Sequence, residues 1–153
     1  MTHRIIPSSV RLAVVAALGT ASCLLAADLS KFPVSTQTGV TYEKDIQPIF
    51  KEYCFNCHGA GQRVSGGLRL DTLENALKGG KDGKVIVVGK SGESDLVLDV
   101  ARVSDAPMPP KPRAPRRPPG SDTNTPPPAP PPAKIVPAEQ VGLIRAWIDQ
   151  GAK

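Results

Sequence analysis

Aromatic side chains make up only 4% of the 153 residues, histidine occurs twice and cysteine three times. So few large rings make a sizeable core hard to assemble from the chain's own side chains, and the length allows one modest fold with no sign of a second domain. Long apolar runs are also missing. The longest, Leu12 to Leu18 continued through Leu24-Leu25-Ala26-Ala27, is short and rich in small residues, which argues against a membrane-spanning helix. No basic surface is interleaved with stacking aromatics and no recognition helix is evident, so nucleic-acid binding is set aside.

That one apolar run has another use. His3, Arg4 and Arg11 precede it and Ala26-Ala27 precede Asp28, the order of a charged region, an apolar region and a small-residue cleavage site. Residues 1–27 therefore read as a signal peptide, and the rest as exported, to the periplasm or beyond. The competing reading makes Cys23 the lipidated residue of a lipoprotein, the one route to a membrane, but Thr20 occupies a position that is usually apolar in such signals.

Without Arg4 and Arg11, seventeen basic residues face fourteen acidic ones, a formal charge of +3. Lys111, Arg113, Arg116, Arg117 and Lys134 against Asp122 put about +4 into residues 109–137 alone. The same segment holds thirteen of the seventeen prolines, so it is neither helix nor sheet interior but a stiff, basic surface insertion.

Around that insertion the pattern is helical. Tyr42, Ile46, Ile49, Phe50 and Tyr53 have the spacing of one helix face, and Pro48 is tolerated if Asp45 is the N-cap. Residues 28–40 precede this as an extension, and 41–152 form the domain. Asp71, with Glu74 three residues on, is expected to cap a short helix that Gly79-Gly80 stops. Val85 to Val88 reads as an extended stretch, and Ser91 or Ser94 as the cap of a second short helix carrying Leu96, Val97 and Val100. A last helix runs from Ala138 to about Gln150, with Val141, Ile144, Trp147 and Ile148 on one face and Gly151 as its stop.

The chemistry lies in Cys54-Phe55-Asn56-Cys57-His58, a five-residue pattern expected by chance on the order of once in a thousand chains of this composition. Two thiols three residues apart can each add to one vinyl group of a porphyrin, and the adjacent histidine then reaches the iron. A bound haem also supplies the apolar bulk that the chain lacks. A zinc site is short of ligands, because after residue 27 Cys54, Cys57 and His58 are the only cysteines and histidine. A dithiol redox pair expects a strand–helix–strand setting, whereas here the motif follows a helix and opens into glycines. For the sixth ligand, methionine or histidine is usual in electron carriers, and Met108 is the one such residue left. Its setting, Ala106-Pro107-Met108-Pro109-Pro110, restricts the backbone; the bland alternative is a core gap-filler.

These pieces together resemble the planctomycete-type cytochrome c domain: Ile46-Gln47-Pro48-Ile49-Phe50, the Cys54–Gly59 motif, Gly67-Leu68-Arg69-Leu70-Asp71, Gly79-Gly80, Met108-Pro109-Pro110 and Ile144 through Ala152, in that order. The resemblance implies an all-α, small cytochrome c-like fold around one haem c, with Cys54 and Cys57 as thioether attachments, His58 as proximal ligand and Met108 as distal ligand. The Pro-rich surface insertion at 109–137 departs from the family pattern. The expected activity is one-electron transfer without enzymatic turnover; the resemblance implies little about the redox partner, and the basic insertion suits an acidic one. The rival is a haem-based sensor or peroxidase-like enzyme in which Met108 is displaced.

Overall fold

The structure is a computed structural model that describes residues 27–62, 64–116, 120, 126 and 129–153. The proposed signal peptide, with Cys23, lies outside the described residues except for Ala27. Among those described the regular structure is helical, with no strand and one isolated bridge between Gly80 and Gly83. None of the described helices is long and apolar enough to cross a membrane.

The first helical stretch starts earlier than Asp45. A π-helical turn, Tyr42–Ile46, leads into α1, Gln47–Tyr53. Asp45 sits inside that turn and reaches back, its Oδ2 accepting from the Thr41 N–H at 2.8 Å. The physical reason is Pro48, which has no N–H to give and whose ring conflicts with the carbonyl four residues before it. Widening the preceding turn, with the Gln47 N–H bonded to the Tyr42 carbonyl, lets the helix pass the proline. The apolar face falls as the spacing predicts: Tyr42, Ile46, Ile49 and Phe50 are buried, with Tyr53 packed at the edge.

The motif follows at once as α2, Phe55–His58, and two short helices come later: α3, Leu73–Lys78, and α4, Asp95–Val100. The α3 cap is Thr72, whose Oγ1 accepts the Asn75 N–H at 3.2 Å; Asp71 instead holds the Asn75 side-chain amide at 3.0 Å. Ser94 precedes α4 but does not cap it through its hydroxyl, which donates to the Lys90 carbonyl at 3.0 Å. It also accepts the Val87 N–H at 2.9 Å, so residues 85–88 are tied as a loop and not as a strand.

The closing helix α5, Ala138–Asp149, ends at Gly151 as expected and provides the centre of the core. Trp147 on α5 meets Tyr42 at 5.8 Å and Phe50 at 6.3 Å between ring centroids, so half of the chain's scarce aromatics are concentrated in one cluster. Each fully buried ring or branched side chain of this size is worth about 1.5–3 kcal/mol of transfer free energy, an upper figure because the unfolded chain is not fully extended. The Lys153 carbonyl joins the two halves, accepting the Tyr42 N–H at 2.8 Å and the Trp147 indole N–H at 3.0 Å. On another face, Asp149 accepts from the Ser91 N–H at 2.8 Å and the Ser91 hydroxyl at 2.9 Å, joining α5 to the turn before α4.

Residues 32–40 lie along α5. The Ser35 N–H donates to the Gly142 carbonyl at 3.0 Å, the Gln150 amide to the Gln37 carbonyl at 2.8 Å, and Arg145 to the Phe32 carbonyl. A Cβ at Gly142 would collide with the Pro33 carbonyl oxygen. Glycine in a helix interior ordinarily costs about 1 kcal/mol relative to alanine. Here the close approach reverses the sign: Gly142→Ala is expected to destabilise the protein by roughly 1–3 kcal/mol in denaturant unfolding, with residues 32–40 losing amide protection first. An alanine that stabilises would show that the extension does not hold this position.

Candidate functional site

The five motif residues form one tight helical turn. The Cys57 and His58 N–H groups both donate to the Cys54 carbonyl, at 3.0 and 2.8 Å, and Gly59 N–H donates to Phe55 at 3.0 Å. A Cβ at Gly59 would lie 2.6 Å from the Phe55 carbonyl oxygen, so the turn out of α2 requires glycine.

His58 is fixed from outside the motif. Its Nδ1 lies 3.1 Å from the Leu68 carbonyl, which can only accept, so in the neutral ring the proton sits on Nδ1 and the lone pair on Nε2. The Leu70 N–H donates to the His58 carbonyl at 2.7 Å, and the Tyr42 hydroxyl donates to the Leu70 carbonyl at 2.6 Å. Burial pushes the Tyr42 phenol well above its ordinary pKa, keeping it a donor. A metal-binding histidine usually has its second nitrogen held this way. The sequence singles out neither Leu68 nor Tyr42 for this role, because a backbone acceptor leaves no mark on residue identity.

Met108 reaches the same place from another direction. Its N–H donates to the Asp99 carbonyl at 3.0 Å, Arg102 Nη1 donates to the Pro109 carbonyl at 2.9 Å, and the Ser104 hydroxyl donates to Asp99 Oδ1 at 2.6 Å. Burial raises the Asp99 carboxyl above its ordinary value, against the Ser104 hydrogen bond that lowers it. Cys54, Cys57, His58 and Met108 all line one cavity of about 340 Å³, with Pro109, Pro110 and Lys134 at its rim. Two further spaces, of about 50 and 230 Å³, share His58 and Met108 with it and add apolar walls from Leu68, Leu70, Val85, Leu96 and Val100. All four sequence-predicted site residues are therefore brought together.

The proline-rich segment leaves this rim at Pro110 and returns to it at Lys134. Lys134 Nζ donates to the Glu52 carbonyl at 2.9 Å, lies 3.3 Å from Glu52 Oε1 and sits 4.9 Å from the centre of the Tyr53 ring. Both charges of the ion pair are about half exposed, so the contact is a weak clasp, about 1 kcal/mol or less for the pair.

Residues 54–112 match the family model described as Planctomycete cytochrome C. That span, fewer than half of the 153 residues, is similar to the planctomycete-type cytochrome c family. No curated protein and no solved structure matches the chain. The match begins at the first motif cysteine and runs past Met108, so α1 and α5, which the sequence reading also assigns to the domain, lie outside the matched span. The cytochrome c family implies haem c, and the residues fit that group: two free thiols and a free imidazole nitrogen beside a thioether, with apolar walls for a flat macrocycle. Burial, then Cys57, pushes the Cys54 thiol up to about 12, so Cys54 would not be the attacking thiol of a dithiol redox pair.

The two thiols should accordingly differ in the haem-free protein. Cys57 is exposed and should alkylate with iodoacetamide at pH 8, while Cys54 should lag by at least about tenfold and quicken only as the pH rises towards its own pKa. Mass mapping after timed quenching measures both rates; equal rates at pH 8 would refute the buried-thiol geometry.

Proposed function

We propose that the chain is an exported one-electron carrier with a single, covalently held haem, in which Cys54 and Cys57 are the thioether attachments, His58 the proximal ligand and Met108 the distal ligand. The observation that carries this reading is the meeting of all four side chains at one cavity, with His58 Nδ1 occupied by the Leu68 carbonyl and Nε2 left free. When bound, the group would supply a one-electron couple at its iron, and His58 and Met108 are the side chains that would hold that iron. The rest is positioning by the protein: α2 presents the thiols and the imidazole in one turn, while the α4 end presents the thioether. With both side chains holding the iron, no position would be left for substrate, which favours a carrier over an enzyme. The leader-like residues 1–27 support export.

The rim favours an acidic redox partner. Lys111, Arg113, Arg116 and Lys134 are exposed, and the segment that bears them is joined to the cavity at both ends. Such charge raises association rates in low salt more than it raises final affinity.

In protein made by a host with haem-maturation machinery, the haem should survive acid–acetone extraction; Cys57→Ala should weaken that retention and His58→Ala should block maturation. The oxidised protein should show the weak sulfur-to-iron charge-transfer band, and Met108→Ala should abolish it, lower the potential and admit cyanide. Haem that extracts freely overturns covalent attachment. Ready binding of carbon monoxide or cyanide by the wild type, with no such band, gives the sensor or peroxidase-like reading instead.

For the partner, residues 111–133 can be replaced by a short Gly-Ser link that keeps Met108-Pro109-Pro110 and Lys134. The haem spectrum should be unchanged, and electron transfer to the native partner should become slower and less dependent on salt. Identical rates at every ionic strength would leave the segment as a spacer.

A further inference from the structure

Arg102 holds a backbone conformation that its side chain disfavours. It follows the end of α4 with φ +61°, the left-handed region where helices usually place glycine. The turn it closes is complete: the Arg102 N–H donates to the Asp99 carbonyl at 3.1 Å and the Val103 N–H to the Leu98 carbonyl at 3.0 Å. Glycine would make both bonds without strain, so the backbone gives no reason for arginine.

The side chain gives one. The part-buried guanidinium donates to the Pro109 carbonyl at 2.9 Å, one residue beyond Met108. The Asp99 carbonyl that accepts the Arg102 N–H also accepts the Met108 N–H, at 3.0 Å. One helix end therefore holds the Met108 loop at two consecutive residues, once through backbone and once through this side chain. Among the described residues the salt bridges are Lys90–Glu93 and Lys134–Glu52, so carboxylate pairing does not account for the guanidinium's orientation.

We infer that Arg102 is a positioning residue that fixes the Met108 loop against the cavity, and that its strained backbone is retained for that role. This rests on the reading of Met108 as the distal ligand. A planar guanidinium loses less freedom per hydrogen bond than an ammonium does, which suits it to hold a single carbonyl in place. With the loop fixed, the thioether would be held towards the iron with little motion; without the tie an added ligand would displace it more readily.

The test uses the haem-loaded protein with Arg102→Gly, which removes strain and side chain together, and Arg102→Asn, which tolerates left-handed backbone but is too short to reach Pro109. Both should keep covalent haem and helix content. Both should also weaken the sulfur-to-iron band, bind imidazole about tenfold more tightly and exchange the Met108 amide about tenfold faster, the scale of one hydrogen bond from a charged donor. Arg102→Lys, with one donor retained, should recover part of each. Wild-type band, imidazole affinity and amide exchange in both variants would overturn the inference. So would loss of helix content in Arg102→Gly, since the residue would then serve folding. A wild type without the band refutes Met108 as ligand, and the amide-exchange comparison then still decides whether Arg102 holds the loop.

Discussion

The hydrogen bond between His58 Nδ1 and the Leu68 carbonyl decides which ring nitrogen faces the cavity, and much of the fold keeps Leu68 where that bond needs it. The Leu70 N–H is joined to the His58 carbonyl, and the Leu70 carbonyl accepts from a Tyr42 hydroxyl that is itself buried. Tyr42 packs against Phe50 and Trp147, and its N–H shares the Lys153 carbonyl with the Trp147 indole. The aromatic core thus reaches the candidate ligand through consecutive hydrogen bonds. In so apolar a setting an unmade bond costs about 1–3 kcal/mol, enough to fix each step.

The two sides of the site are held differently. His58 belongs to a helical turn continuous with α1 and docked on the core. Met108 belongs to an irregular loop secured to the α4 end by a few hydrogen bonds. The short, partly strained connection from Val100 to Met108 suits a residue that must approach the cavity without regular structure around it.

The proline-rich segment is attached at both ends to the cavity rim, at Pro109-Pro110 and at Lys134. Its prolines remove backbone donors, and its described residues are mostly exposed, so it adds little to the core. Of its basic residues Lys134 lines the cavity, where its clasp to Glu52 is weak.

Much of the architecture was legible in the residues. The faces of α1 and α5, the turn that carries both cysteines and His58, and the stops at Gly79 and Gly151 all depend on spacing within a few residues, and periodicity reports such spacing directly. Elimination singled out Met108, since after residue 27 the sequence has one methionine and one histidine, and the structure places it at the same cavity as His58. The helix starts were misplaced at Asp45 and Asp71 because several neighbouring side chains can accept the same N–H, and packing chooses among them. The carbonyls of Leu68 and Leu70, the approach of Pro33 to Gly142 and the grip of Arg102 on Pro109 were decided only by the tertiary structure. Every residue carries a carbonyl, so sequence alone determined which side chains were able to do the chemistry, while the fold determined which anonymous backbone groups hold them in place.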